Sequence, residues 1–164
     1  MKDFPYLTRL SSYSVHDGEE KGFDAHPFWN GKAMQTVEGK LWIRKYRVKE
    51  GATPASPLQI LRNYGTALKA AGGTVFHSGV AQGPAFGELQ DWKCVFGRFA
   101  KGGKELWVEV YSYESGEEYV LTAVEAQIMV QEVSSREMLD ALTKHGFIAL
   151  DIHFDTNKAT ILPE

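Results

Sequence analysis

The residue types able to do chemistry are few and scattered. Five histidines (His16, His26, His77, His145 and His153) and one cysteine, Cys94, are the candidate metal ligands and nucleophile. No two histidines stand four apart, the spacing that would put both on one helix face, and Cys94 stands apart from all five, so the pattern carries no metal site. His153 and Asp151 alternate with apolar residues and share one face of a strand, which reads as a solvated face rather than an acid–base pair. His77 precedes Ser78 where a strand meets a loop, with no acid at the spacing of a catalytic triad. Cys94 has no adjoining base to lower its pKa and reads as a small buried apolar side chain. The glycine clusters at Gly79–Gly83 and Lys101–Lys104 lack dinucleotide or Walker spacing and read as turns. The acidic pairs Glu19-Glu20 and Glu117-Glu118 fall in segments read as loops, where carboxylates stay hydrated near their ordinary pKa. The expectation is therefore no enzyme, no cofactor and no metal. The alternative is a small enzyme with a site in the Ser78–Asp91 loop, near His77 and Cys94.

Two further clusters bear on binding. Trp107, Tyr111 and Tyr113 recur at a period of two along one strand, the arrangement of a platform on which a sugar or peptide stacks. Aromatic strand faces are more often covered, and the preferred reading is a second packed layer with the N-terminal arm lying across it. Lys40, Arg44, Lys45, Arg47 and Lys49 interleave with Trp42 and Tyr46, a pattern some nucleic-acid faces share. The whole chain opposes that role: 18 Lys+Arg against 21 Asp+Glu leave a net charge of −3, with no long-range attraction for phosphate. The stretch reads as a strand with a solvated side, and no nucleic acid is expected.

The elements that must position these residues follow from periodicity and punctuation. Residues 1–39 carry Gly18, Gly22, Pro27, Gly31 and Gly39 and read as an irregular arm and loops. Lys40 to Val48 alternates as a strand, with Leu41 and Ile43 on one face and Trp42, Tyr46 and Val48 on the other. Ser56 to Gly72 is the clearest helix. Ser56 suits the N-cap, Pro57 the first helical position and Gln59 a capping box; Leu58, Leu61, Tyr64, Ala67, Leu68 and Ala71 form a stripe, and Gly72-Gly73 is the stop. Thr74–His77, Trp92–Phe99, Glu105–Tyr113 and Tyr119–Val130 read as strands, the last three as an antiparallel meander with a turn at Gly102-Gly103. Ser134 to His145 reads as a second capped helix, and Phe147 to Phe154 as a final strand. The expected fold is α+β: a mainly antiparallel sheet with one long helix packed on one face, in the order β-α-β-β-β-β-α-β.

Composition bounds the class. Of 164 residues 43% are apolar and 12% aromatic, enough to offset the entropy of ordering, so disorder is not expected. A single cysteine excludes a disulfide scaffold. No apolar run approaches the roughly 20 residues of a membrane-spanning helix, and Lys2, Asp3 and Arg9 interrupt any secretory signal at the start. A strongly apolar strand followed by the helix-start chemistry of Pro163-Glu164 suggests a further helix beyond the given chain.

The run Ile152-His153-Phe154-Asp155-Thr156-Asn157-Lys158-Ala159-Thr160-Ile161-Leu162-Pro163-Glu164 resembles the opening of the OmpA/MotB-type peptidoglycan-associated domain, whose first strand ends in Phe-Asp-x-x-Lys-Ala-x-Ile-x-Pro-Glu. Upstream, Val37-Glu38-Gly39-Lys40, Leu61-Arg62-Asn63-Tyr64 and Ala67 to Gly72 resemble a periplasmic domain that precedes this module in some bacterial envelope proteins. The resemblance implies an exported, periplasmic and outer-membrane-associated protein of the OmpA family. It divides the chain into an arm (1–36), an α+β periplasmic domain (37–133), and a connecting helix with the first strand of an OmpA-like domain (134–164). In that family peptidoglycan is gripped chiefly by an Asp and an Arg in a later stretch, Thr-Asp-x-x-Gly followed by Leu-Ser-x-x-Arg, which this sequence does not reach. Only Asp155 and Thr156 correspond to the rim of that pocket. The expected role is a non-catalytic envelope domain acting in structure, protein interaction or ligand binding, with envelope proteins or cell-wall polymer as partners.

Overall fold

A computed structural model of the chain describes residues 2–127. The expectations for Ser134–His145, Phe147–Phe154, Asp155 and Thr156 lie outside the described residues.

Six strands form one antiparallel sheet: β1 (Tyr13–Trp29), β2 (Met34–Val48), β3 (Thr74–Val80), β4 (Lys93–Lys101), β5 (Lys104–Ser112) and β6 (Glu118–Ala126), in the spatial order β1-β2-β6-β5-β4-β3. One helix, α1 (Pro57–Ala70), carries the chain from β2 across β6, β5 and β4 to the far edge, where β3 runs in the same direction as β2. The sheet-dominated α+β class is as expected, whereas the order differs. Two strands precede the helix, because residues 13–29 are a strand and not loops, and β2 begins at Met34 rather than Lys40. The physical reason is that β1 is an edge strand with most of its central residues exposed. It buries too few side chains to show a period of two, and its glycines and Pro27 sit where an edge tolerates them.

Helix α1 forms where its caps require. Ser56 accepts a hydrogen bond from the Gln59 amide at 3.2 Å, Pro57 opens the first turn, and the chain leaves through Gly72 at φ +74°. Its inner face is Ile60, Leu61, Tyr64, Gly65 and Leu68; Leu58 is 56% exposed and leaves the expected stripe. In the first turn Ile60, which has no exposure at all, takes the inward place instead. This face and the arm residues Phe4 and Leu7 cover Trp42, Tyr46, Val95, Phe99, Leu106, Val108, Val110, Tyr119 and Leu121. Four buried tyrosines knit that core. Tyr46 and Tyr119 stack at 4.8 Å, the Tyr64 and Tyr119 hydroxyls lie 3.0 Å apart, and Tyr13 donates to the Gly116 carbonyl at 2.6 Å while accepting from the Ala55 amide at 2.8 Å.

The meander closes as its turn chemistry dictates. Lys101 pairs with Lys104, leaving Gly102 and Gly103 as a two-residue turn with both φ positive (61° and 78°), the type I′ geometry that matches strand twist.

The opposite face is shaped by the β1–β2 hairpin. β2 pairs with β6 only from Gly39 to Arg47; beyond Gly39 the hairpin bends over the sheet. Bulges in β1, between Val15 and Asp17 and between Lys21 and Asp24, increase the bend. As a result β1, three places from β5 in the sheet order, still reaches it: Phe28 lies 6.0 Å from Trp107 and His26 hydrogen-bonds Glu109.

Candidate functional site

The bent hairpin and the kinked 3-10 segment Pro84–Leu89 form two walls over the sheet face opposite α1, and between them runs a groove of about 610 Å³. Its floor comes from three strands in register: Ile43 and Lys45 of β2, Val120 and Thr122 of β6, Glu109 and Tyr111 of β5. One wall is His26, Pro27 and Met34; the other is the 3-10 segment, anchored by Phe86. Phe86 is buried because it packs against Trp29 (4.3 Å, stacked), His77 (5.0 Å) and Phe96 (6.2 Å). The hairpin tip and the 3-10 segment therefore brace each other through a ring stack.

Glu109 is the chemical feature of the floor. It occupies an inward position in the middle of β5 and is 3% exposed. His26 Nε2 lies 3.0 Å from its Oε2, across 83 residues of sequence. The pair links the hairpin to the centre of the sheet. Its negative charge is felt by its neighbours. Burial first, and Glu109 second, push the Cys94 thiol up to about 12; burial, Tyr113 and Glu109 push the Tyr111 phenol up to about 12. Lys45, also at the groove, is held by Asp17 at 2.7 Å.

The residues singled out in the sequence are distributed differently from the expectation. Trp107 is 3% exposed: Phe76 stacks on it at 5.5 Å, Phe28 lies at 6.0 Å, the Arg98 guanidinium sits 5.3 Å from its ring, and its indole N–H donates to Glu105 at 2.7 Å. It is a covered layer, as preferred, but the cover is the β1–β2 hairpin and β3, while the N-terminal arm lies on the other face. Tyr111 lines the groove, and Tyr113, 40% exposed, lies past the end of β5. Both pack edge-on against Trp92, at 5.2 and 5.3 Å. The three ladder residues thus do not present one continuous platform.

Cys94 is wholly buried in the layer beneath the groove, and its raised pKa leaves almost no thiolate at neutral pH. His77 faces Phe86, and its Nε2 is buried without a hydrogen-bond partner among the described residues. The basic stretch of β2 is matched by carboxylates. Lys40 and Arg44 pair with Glu20, Lys45 with Asp17, and Arg47 with Glu118, while Trp42 and Tyr46 are buried under the arm. Glu20 is correspondingly not a free loop carboxylate: it lies on β1, and the hydrogen bonds from Lys40 and Arg44 hold its pKa below the usual value. Among the described residues, no group of three or more His, Cys, Asp or Glu is placed to hold a metal ion, and no helix is long and apolar enough to cross a membrane.

His26 and Glu109 are the site residues that sequence reasoning missed. One signal existed: Glu109 interrupts the inward alternation Trp107, Glu109, Tyr111, a charge at a core position. Its partner sits on a segment read as loop, so nothing local connected the two. No known protein family matches the chain, and no curated protein matches it significantly.

Proposed function

We propose that residues 2–127 are a non-catalytic ligand-binding domain of a cell-envelope protein, and that the ligand is a small molecule with an apolar body lying in the groove between the β1–β2 hairpin and the 3-10 segment. The observation that carries this reading is the groove itself. It is of ligand size, its floor is built on three paired strands, and apolar side chains (Met34, Ile43, Phe86, Leu89, Val120) surround a small number of polar groups. That composition is the one small-molecule sites favour, since apolar contact supplies affinity and a few placed polar groups supply orientation. The buried, protonated Cys94 supports the non-catalytic part. The envelope assignment is supported by the resemblance of residues 152–164 to the start of the OmpA-like module.

Binding of the neutral dye Nile red tests the groove. Its emission rises with the full chain, and Ile43→Trp, which fills the floor, weakens the binding; equal binding by the variant overturns the site. Fractionation of the source cells tests the compartment: recovery with cytosolic markers, rather than with periplasmic or outer-membrane ones, overturns the envelope assignment.

A further inference from the structure

We propose that the groove selects ligands in which the apolar body ends in a protonated amine, seated on Glu109. The inference rests on the groove being the binding site and adds the chemical class of the head group. A carboxylate that is 3% exposed has lost most of its hydration, and burying it is unfavourable unless a cation or several hydrogen-bond donors replace the water. Among the described residues Glu109 has no Lys or Arg within ion-pair distance, and its hydrogen-bond partner is a single ring nitrogen of His26. The groove's lysine, Lys45, is turned to Asp17 and does not serve it.

The consequences differ for three kinds of ligand of equal apolar size. An amine adds a full positive charge beside the His26 contact and donates to the carboxylate, in a place where water competes poorly. A neutral alcohol displaces the remaining water and supplies one weak donor. A carboxylate places like charges together, which excludes it. The arrangement is therefore selective in both directions, by attraction for the cation and by repulsion of the anion. The apolar floor to one side of Glu109, from Val120 of β6 and Ile43 of β2, takes the body of each ligand alike.

Octylamine, octanol and octanoate, titrated at neutral pH against the full chain with displacement of Nile red as the readout, test this. The expected order is octylamine over octanol by about tenfold, the size of one hydrogen bond to a charged group, with octanoate weakest. Glu109→Gln keeps the shape and removes the charge, and is expected to bring octylamine and octanol to equal affinity. Thr122→Lys is the second variant. Thr122 is the cross-strand partner of Glu109 and also lines the groove, so a lysine there supplies the cation internally and is expected to abolish the amine preference. Equal affinity of the amine and the alcohol for the unaltered chain, or an amine preference that survives both substitutions, overturns the head-group assignment and leaves the apolar groove standing. Failure of all three compounds to displace the dye overturns both.

Discussion

Substitution of Gly39 by alanine isolates the bend that makes the groove. Gly39 is where β2 parts from β6 and the hairpin begins to cross the sheet. Its φ is +151°, a conformation that side chains disfavour, and a Cβ built on it would lie 2.0 Å from the Glu125 carbonyl oxygen and 2.8 Å from the Gln127 amide nitrogen. Both are backbone atoms at the end of the neighbouring strand β6, so no side chain can swing aside; β2 must move away from β6. The backbone conformation costs about 1–3 kcal/mol and the overpacking about 1–3 kcal/mol more, together about 2–6 kcal/mol. At about 4 °C per kcal/mol for a domain of this size, the melting temperature falls by about 8–24 °C. Gly22→Ala is the matched control. It stands in the β1 bulge opposite this region, with no atom within 4 Å of a new Cβ, and is expected to be neutral or to stabilise by about 0.4–1 kcal/mol through the unfolded chain. Thermal unfolding of the two variants, with Nile red binding measured on each below its transition, makes the comparison. If Gly39→Ala melts within about 2 °C of Gly22→Ala, the contact between β2 and β6 does not constrain the bend, and the account of how the groove is formed is wrong.

Three other outcomes follow from the packing. Tyr13→Phe removes a hydroxyl that serves both the Gly116 carbonyl and the Ala55 amide in a fully buried place; denaturant unfolding should show a loss of about 2–4 kcal/mol, and a loss no larger than that of Tyr113→Phe on the surface would refute the role. Cys94 should stay unmodified by a thiol reagent at pH 8 until the chain is denatured, since burial and Glu109 push its pKa up to about 12; modification of the native chain at the rate of a free thiol would refute its burial and reopen an enzymatic reading. In alkali, burial raises the pKa of Tyr64 and Tyr119 above the ordinary 10.0 and that of Tyr111 to about 12. A raised folded-state pKa contributes stability that is whole below pH 10 and lost as pH rises through the folded values, so these phenols should ionise together with unfolding above pH 10. Independent ionisation of all seven tyrosines near pH 10 in the native chain, followed by ultraviolet absorbance, would contradict this.

Local rules were enough wherever the deciding interaction is local. The Ser56 cap, Pro57 and the Gly72 exit place α1, because caps and turns are satisfied within a few residues. The Lys101–Lys104 pair marks its hairpin for the same reason, and the alternation of Leu106, Val108 and Val110 marks the core face of β5 because burial there is one-sided. Strand β1 escaped such reading: an edge strand buries little, and pairing with β2, not its own pattern, makes it a strand. Trp107 and Tyr111 share a face in any reading, yet which of them is covered depends on where Phe28 and Phe76 arrive from distant strands. The groove belongs wholly to this second kind. Its walls come from residues 26–34 and 84–89, its floor from three other strands, and His26 meets Glu109 only because the sheet bends at Gly39. Contacts between segments so far apart are set by the packing of the whole sheet, and no local pattern in the chain encodes them.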